Sequence, residues 1–349
     1  MGGHPRLAER CARTRRARSD VPKSCDRRSA RRTRPGAALK RPTISAVMPV
    51  YNTERYVAEA LTAILSQTHP PEEVIVVDDG STDGTLGELE RFRGEIRVVR
   101  QGNLGVAGAM NRCFEEASCD YMAKCDADDI WELDKLERQF ETILVHPEVD
   151  IAFGGARFFG GSEGPRAPYS GAGILDRQRF AKQLYRANFV CSGTTMVRRS
   201  MHQRLGPFVE GLDCEDYDYW LRAVSAGAVF FYDPRVLINY RTHEHQVSGN
   251  LLRMHRAEYV AHGWHADLVG DARLVRRVKA RDLSNIARQL SDEDRPREAR
   301  ATFVAALRQR LSPRLLAWVL VLSMPDRYRR LFAERLVSIR RTLVSPASR

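Results

Sequence analysis

The sequence lacks a long hydrophobic run. No window reaches the ~18 uninterrupted apolar residues typical of a membrane-spanning helix, and the stretch LLAWVLVLSM at 315–324 has a length that suits a packed or interfacial helix. The amino terminus also lacks the apolar segment of a secretory signal peptide. We therefore expect a cytoplasmic protein without a transmembrane helix.

Cysteine is scarce and is not arranged for metal binding. The seven cysteines are an odd number and contain no C-x-x-C pair. Cys113, Cys119 and Cys125 fall six residues apart, but the first two belong to a predicted helix and its end and the third to a strand. We interpret them as small core residues in a reducing compartment, and no zinc site is predicted.

Outside the first 42 residues the sequence has almost no excess of positive charge. Residues 1–42 carry 14 Lys and Arg against 3 Asp and Glu, so that residues 43–349 keep only +1 of the formal net charge of +12. This Arg-rich leader has too few apolar side chains to offset its ordering entropy, and we expect it to be disordered. A solvated tail or a start codon placed too far upstream is favoured over a tail that binds nucleic acid or anionic lipid.

From residue 43 the sequence alternates short β-rich runs with helical periodicity. TISAVMP, EEVIVVDDG, EIRVVR and DYMAKCD are predicted strands, and each is followed by a segment with the periodicity of a helix. This alternation predicts an α/β fold with a mostly parallel central sheet flanked by helices. The alternation ends near residue 150, and beyond about residue 250 the pattern predicts a C-terminal appendage of amphipathic helices rich in Arg and Leu.

A polar cluster follows each predicted strand. The clusters are PVYN (49–52), DDGSTD (78–83), GNLG (102–105) and DADD (126–129). Each alone is typical of a turn, but the carboxyl ends of parallel strands share one edge of a sheet, where ligands bind. Together the clusters predict a site. The glycines of GNLGVAG do not form G-x-G-x-x-G, so a dinucleotide-binding dehydrogenase is not expected.

The aspartates of DADD suit a divalent metal ion. Mg²⁺ and Mn²⁺ are usually held by one or two carboxylates together with a substrate diphosphate, which matches Asp126, Asp128 and Asp129. Asp79 can accept hydrogen bonds from a nucleobase or a ribose, and an Asx turn that caps the next helix is an equal alternative. Tyr51 offers an aromatic face to a base, with a packed core tyrosine as its alternative.

Several ordered segments together resemble a known family. PVYN with SQT downstream, VIVVDDGSTDGT, NLGVAGAMN, DADD, EDYDYWLR and YRTH look like the family 2 glycosyltransferases, which have the GT-A fold. The resemblance covers roughly residues 43–248. It implies inverting transfer of a hexose from a nucleotide-diphosphate sugar (UDP- or dTDP-linked) to a hydroxyl of a glycan or lipid-linked acceptor. It also implies assistance by Mg²⁺ or Mn²⁺ and a role in cell-envelope polysaccharide biosynthesis.

The same resemblance implies a role for each residue that matches a motif. Asp216 would be the catalytic base, and Asp126, Asp128 and His243 would hold the metal. The nucleotide-sugar site would be formed by Pro49, Tyr51, Asn52, Asp78, Asp79, Asn103, Asn111, Asp126 and Arg241.

The choice of base also follows from the chemistry. Inversion in one displacement needs a carboxylate that takes the acceptor's proton and a cation opposite, beside the departing diphosphate, so the two come from distant segments. In a helix that starts near residue 213, Asp216 and Trp220 share a face, whereas Asp218 points elsewhere. Asp218 is the reserve candidate, and Glu215 or Asp218 pairs with Arg222 or caps the helix.

The motifs divide the chain into parts. Residues 43–130 would be the nucleotide-binding half of the GT-A-like domain, 131–248 the acceptor half, and 249–349 a helical C-terminal region. A sugar nucleotidyltransferase of similar fold is one alternative, although no Gly/Arg/Lys-rich phosphate loop follows the first strand. A nucleic-acid-binding protein that uses the leader is another, although nucleic acid is not expected as a partner of the near-neutral remainder.

The C-terminal segment at 312–343 has two interpretations. It alternates an apolar helix with a basic amphipathic one. A helical appendage packed on the catalytic domain is favoured slightly. In the alternative, its basic side chains hold the protein at the cytoplasmic face of an anionic membrane, which fits a lipid-linked acceptor.

Overall fold

The computed structural model describes residues 41–161, 164–168, 171–243 and 250–324. The disorder predicted for residues 1–42 therefore falls almost wholly outside the described residues, as does the basic helix predicted beyond residue 324.

The first half of the structure is a set of parallel strands joined by helices. The strands are β1 (Ile44–Val50), β2 (Glu73–Asp78), β3 (Arg97–Arg100) and β4 (Tyr121–Lys124), and the helices are α1 (Val57–Leu65), α2 (Thr85–Glu90) and α3 (Gly105–Glu116). β1 lies between β2 and β4, and β3 pairs with β2, all in parallel. The predicted order of strands and helices is confirmed. The apolar runs of β1 and β2 are continuous because these strands are buried on both faces of the sheet.

The second half extends the sheet with a different pairing. Its elements are β5 (Ile130–Trp131), α4 (Lys135–Val145), β6 (Ile151–Phe159), β7 (Gly164–Arg166), β8 (Gly173–Ile174), α5 (Arg177–Leu184), a 3₁₀ turn (Ser192–Thr194), β9 (Met196–Arg198), α6 (Arg199–Leu205), α7 (Glu215–Ser225) and β10 (Phe230–Arg241). The strand order is β3-β2-β1-β4-β9-β6-β10-β5, with β7 beside β6 and β8 beside β10. The long β6–β10 ladder is parallel, whereas each antiparallel ladder joins only two or three residue pairs.

Each face of the sheet carries its own core. Successive strand side chains point to opposite faces, so Val47 packs into one cluster while Ala46 and Met48 pack into the other. The Val47 face is covered by α3, α5, α6 and α7, and the opposite face by α1 and α4. Trp220 of α7 is among the largest fully buried side chains, so α7 is anchored in the main core.

The C-terminal helices continue this structure. They are α8 (Leu251–Trp264), a 3₁₀ turn (Ala266–Val269), α9 (Ala272–Asp292), α10 (Pro296–Gln309) and α11 (Pro313–Val321). Ala257 and Ala261 of α8 belong to the same core as α7. A third cluster joins α9 to α10 and α11, where Phe303 and Trp318 stack with ring centroids 5.4 Å apart. Up to residue 324 the segment thus packs as an appendage, and the described part of the chain contains no helix with the length and apolarity to cross a bilayer.

Candidate active site

The loops after β1 and β2 are hydrogen-bonded to each other. Asn52 lies in the left-handed region (φ 52°), which asparagine tolerates better than most residues. Its backbone N–H donates to Ser81 Oγ at 3.0 Å, and its Oδ1 accepts from the Thr82 backbone N–H at 2.8 Å. Two of the predicted polar clusters therefore form one continuous surface.

Asp79 joins the loop after β2 to the loop after β3. Its buried carboxylate accepts from Gln101 Nε2 at 2.7 Å and from the backbone N–H groups of Leu104 and Gly105 at 2.9 and 2.8 Å. The next residue, Gly80, has φ 79°, and a Cβ there would lie 3.1 Å from the backbone nitrogen of Asn103. These contacts show how Asp79 shapes the loops, and its contact with a nucleotide stays a prediction.

The other predicted nucleotide residues at this edge differ in exposure. Tyr51 is 46% exposed, which excludes the packed core alternative for its ring. Pro49 is half-buried, Asn103 is exposed, and Asn103 Oδ1 accepts from the Gly105 N–H at 3.2 Å. Asp78 is fully buried and its Oδ1 accepts from the Ser81 N–H at 3.1 Å, so it supports the loop from beneath.

Asn111 makes its hydrogen bonds elsewhere. It lies on α3, where its side-chain amide donates to the Phe208 carbonyl at 3.1 Å and its Oδ1 accepts from the Phe208 N–H at 2.7 Å. Both ends of the amide are thus engaged with the segment between α6 and α7. This arrangement gives Asn111 a structural role and offers no support for its predicted contact with the donor.

The DADD loop is held by the end of β10. His243 Nε2 lies 3.0 Å from Asp128 Oδ2, and the Arg241 backbone N–H donates to Asp129 Oδ1 at 3.0 Å. The Arg241 guanidinium donates to the Asp128 carbonyl at 3.0 Å and pairs with Glu59 of α1. Residues separated by more than a hundred positions in the sequence therefore meet at this loop, as the resemblance implies for Arg241 and His243.

The chemistry of the loop fits a hard divalent cation. Asp129 Oδ2 is buried without a hydrogen-bond partner, and burial together with the charges of Asp126 and Asp128 raises the pKa of Asp129 well above its usual range. Within the described ranges no three or more His, Cys, Asp or Glu side chains form a complete metal cage. An ion that also binds a diphosphate needs only one or two carboxylates from the protein, and Asp126, Asp128 and His243 supply suitable donors.

Lys124 connects the DADD loop to the second half of the sheet. This buried lysine lies 2.8 Å from Asp126 Oδ1 and donates to Ser192 Oγ at 2.9 Å. The neighbouring Gly193 approaches so closely that a Cβ there would lie 3.2 Å from carboxylate oxygens of both Asp126 and Asp129. The sequence analysis did not single out Lys124, although a lysine inside an apolar strand was a usable signal.

Asp216 occupies the first turn of α7. Its Oδ1 accepts from the Tyr217 backbone N–H at 2.6 Å, and Asn188 Nδ2 lies 3.5 and 3.4 Å from its two oxygens. Burial raises the pKa of Asp216, and the positive charge of Lys124 opposes this rise. Burial and the charge of Asp216 likewise raise the pKa of Glu215. The start of α7 therefore presents two carboxyl groups with increased proton affinity.

Asp218 pairs with Arg222, which is one of the two structural roles that the sequence allows for it. It is 2% exposed, and its oxygens lie 2.8 Å from Arg222 Nε and 2.8 Å from His265 Nε2. Burial alone would raise its pKa, but these two partners hold the pKa of Asp218 below its usual range. Asp216 is therefore the better-placed base candidate of the two.

Sequence comparisons identify relatives of this chain. The family model described as glycosyl transferase family 2 matches residues 45–206. EpsE of Bacillus subtilis (strain 168), named as a glycosyltransferase, is 31% identical over 194 residues, which cover 53% of this chain and 68% of EpsE. TuaG of the same organism, named for teichuronic acid biosynthesis, is 41% identical over 108 residues, which cover 30% of this chain and 43% of TuaG.

Solved structures share the fold at low sequence identity. TarS of S. aureus in complex with UDP-GlcNAc has a TM-score of 0.61 at 18% identity, with 86% of this chain and 92% of that chain covered. The mannosyltransferase PcManGT from Pyrobaculum calidifontis, in complex with GDP-Man and Mn²⁺, has a TM-score of 0.52 at 17% identity, with 98% and 95% covered. These likenesses confirm the predicted GT-A architecture. Together with the sequence matches, they show that this chain is a glycosyltransferase and belongs to glycosyl transferase family 2.

Proposed function

We propose that this chain transfers a sugar, with inversion, from a nucleoside-diphosphate donor to a hydroxyl of a glycan or lipid-linked acceptor. One arrangement carries the proposal. The DADD loop at the carboxyl end of β4 and the carboxylate of Asp216 on α7 come from distant segments, and the charge of Lys124 acts on Asp126 and Asp216 together. Donor activation and proton removal would therefore use separate groups, and the charge of Lys124 acts on both of them.

The donor half of the site would bind the nucleotide and its diphosphate. The exposed ring of Tyr51 gives a base a surface for stacking, and the loops held by Asn52 and Asp79 surround it. Asp126 and Asp128, with His243, would hold Mg²⁺ or Mn²⁺, which supplies positive charge to the departing diphosphate. Arg241 anchors the DADD loop from β10 and adds a further cation there.

On the acceptor side Asp216 would take the proton of the attacking hydroxyl. A carboxylate with a raised pKa is a stronger base, and burial provides that increase here. The positive charge of Lys124 favours the ionised form that a base requires. The N-terminal end of α7 also favours a negative charge at this position.

The relatives support the class of donor. TarS was solved with UDP-GlcNAc, and PcManGT with GDP-Man and Mn²⁺, so proteins of this fold bind nucleotide sugars and one of them binds a metal ion. The name of TuaG refers to teichuronic acid, which supports a role in cell-envelope polysaccharide biosynthesis. These relationships favour a transferase over the sugar nucleotidyltransferase and nucleic-acid-binding alternatives.

Hydrolysis of a panel of nucleotide sugars tests the proposal without knowledge of the acceptor. Purified protein is incubated with each donor in Mn²⁺, Mg²⁺ or EDTA, and the released nucleoside diphosphate is measured. We expect metal-dependent release from one donor and loss of release in Asp128→Ala. Asp267→Asn is a matched control, because this exposed aspartate lies outside the site. Release that persists in EDTA would contradict metal assistance, and the absence of both release and a nucleotide-induced thermal shift would contradict the donor class.

We also propose peripheral contact with an anionic membrane at the cytoplasmic face through the C-terminal segment at 312–343, which includes α11. Leu316 and Leu320 are 50% and 56% exposed, whereas Trp318 and Val321 are buried on the other side of the helix. Flotation with anionic liposomes, comparing the full chain with a truncation at about residue 312, tests this contact. We expect the truncation to bind less, and equal binding would contradict the proposal.

A further inference from the structure

The end of helix α8 contacts the two residues of α7 that follow Asp216. His262 Nε2 lies 2.8 Å from the Tyr217 hydroxyl, and His265 Nε2 lies 2.8 Å from Asp218 Oδ1. Tyr217 and Asp218 are the two residues directly after the proposed base. The C-terminal region therefore reaches the first turn of the helix on which proton removal is proposed to occur.

His262 also lies against a buried carboxylate on α9, at ion-pair distance and outside hydrogen-bond geometry. Its Nδ1 lies 2.7 Å from Asp282 Oδ2, and both side chains are fully buried. Arg281 lies 2.8 Å from the other oxygen of Asp282, which balances the charge of the carboxylate. The Tyr217 hydroxyl also donates to the Leu184 carbonyl at 2.6 Å. A continuous chain of polar contacts thus runs from α9 through α8 to α7 and α5.

A third contact lies at the other end of α8. Arg253 Nε donates to Asp213 Oδ2 at 3.0 Å, and Asp213 lies two residues before the start of α7. The segment 213–218 is thus contacted at three points, by Arg253 and His262 of α8 and by His265, the residue directly after it. The contacts of the two histidines are largely buried, whereas Arg253 is exposed. Buried polar contacts define distance and direction more narrowly than apolar packing, because a buried polar group that loses its partner costs free energy.

The carboxylate of Asp216 depends on the placement of its helix. Its short hydrogen bond is with the backbone of α7 itself, and the amide of Asn188 lies at the longer distances of 3.4 and 3.5 Å. A general base must lie within hydrogen-bond reach of the proton that it takes. A displacement of about 1 Å can lower a rate by about 10²-fold. Contacts that fix α7 therefore bear directly on the rate.

We propose that His262 and His265 are positioning residues, which hold α7 so that Asp216 faces the acceptor hydroxyl. His262 acts through Tyr217 and is oriented by Asp282, while His265 acts through Asp218. This inference rests on the proposed role of Asp216 as the base. It makes α8 and the start of α9 part of the catalytic apparatus, although neither helix carries a motif of the family resemblance.

Paired variants on α8 test the proposal. His262→Gln removes the contacts with Tyr217 and Asp282, and His255→Gln is the matched control, since His255 lies on the same helix and contacts Glu258. We expect His262→Gln to lower kcat for donor hydrolysis about 10–100-fold with the donor KM unchanged, because only the base is displaced. We expect faster amide hydrogen exchange across 213–225 in this variant and in Tyr217→Phe, but not in the control.

A double variant separates positioning from a general loss of structure. If His262 acts through Asp216, His262→Gln should lower kcat no further in an Asp216→Asn background. A further drop of similar size in that background, or an equal drop in His255→Gln, would overturn the positioning role. The positioning role would also be overturned if kcat were unchanged in His262→Gln while kcat of Asp216→Asn was lowered. Full activity of Asp216→Asn would instead overturn the proposed base. Hydrogen exchange across 213–225 would then still show whether His262 stabilises α7.

Discussion

The donor side and the base side of the site are held in different ways. On the donor side the loops after β1, β2 and β3 hold one another through short hydrogen bonds, such as those of Asn52 and Asp79. On the proposed base side α7 is contacted by His262 of α8 and by His265, which lie more than 40 residues from their partners in the sequence. The proposed donor side is therefore a local construction of adjacent loops, whereas the proposed base lies on a helix that the C-terminal region contacts.

Lys124 is where the two sides meet. It contacts Asp126 on the donor side and Ser192 in the second half of the sheet, and its charge favours the ionised form of Asp216. Because this buried cation acts on both sides, its removal should affect both, whereas a change elsewhere should affect only one side. The comparison is therefore open to direct tests.

The largest effect is expected from Asp216→Asn, which should affect the base side alone. We expect kcat to fall about 10³-fold, within the range for loss of a general base, while affinity for the nucleoside diphosphate stays unchanged. Single-turnover kinetics and calorimetric titration with the diphosphate measure the two quantities. Glu215→Gln is the control and should lose less than about 10-fold. Equal losses in both variants, or weaker diphosphate binding in Asp216→Asn, would contradict the separation.

The sequence predicts where the loops of the proposed donor side lie, because each loop follows a strand. Short apolar runs locate β1 to β4, and parallel pairing then brings their carboxyl ends to one edge. The motif resemblance adds Arg241 and His243, which the structure does bring to the DADD loop. The hydrogen bond of Asn111 could not be predicted, because nothing local shows that its amide is engaged by Phe208, 97 residues away.

The base side is less predictable for a physical reason. The face of α7 follows from helical periodicity, and the pairing of Asp218 with Arg222 follows from their spacing. The contacts of His262 and His265 depend on how α8 packs against α7, more than 40 residues away in the sequence. Residues of α7 and α8 share one core, and the boundary at residue 249 stays a prediction.

Lys124→Met should have the second-largest effect, on both sides together. Removal of the cation leaves Asp126 without its ion-pair partner, and loss of one partner of a buried pair costs about 3 kcal/mol or more. We expect the free energy of unfolding in urea to fall by about 3 kcal/mol, because Asp126 retains some exposure. Lys124→Arg should recover part of this loss.

Lys135→Met is the matched control for that prediction. Lys135 is also fully buried, but it stacks on Trp131 and donates to Gln139, and burial lowers its pKa to about 7. Since a lowered lysine pKa means that the folded state disfavours the charged form, stability is lost as the pH falls from about 10 towards 7. Lys135→Met should therefore leave stability at pH 7 unchanged or higher, and an equal loss in both variants would contradict a special role for Lys124.

Asp79→Asn should have a smaller effect, confined to the donor side. The substitution replaces one carboxylate oxygen by an amide N–H₂ group, which faces the backbone N–H of Leu104 or Gly105 and cannot accept its hydrogen bond. A buried donor left without an acceptor costs about 2 kcal/mol. We expect this loss in urea unfolding, together with faster hydrogen exchange at 101–105 and no change at 213–225. Asp83→Asn, in the same loop, is the control for exchange at 101–105, because Asp83 bonds to Thr85 and Glu54 instead.

The smallest effect is expected from Gly193→Ala, which tests how tightly the two sides meet. The added Cβ would lie 3.1 Å from Ile238 Cδ1 and 3.2 Å from oxygens of Asp126 and Asp129, so these neighbours must move by a few tenths of an ångström. We expect a stability loss of about 1 kcal/mol. Gly87→Ala in α2, with open space around its Cβ, should instead gain up to about 1 kcal/mol. Because the strain falls on the DADD carboxylates, the Gly193 variant should also weaken Mn²⁺-dependent diphosphate binding. Unchanged binding would mean that the 3₁₀ turn at Ser192–Thr194 and the DADD loop move independently.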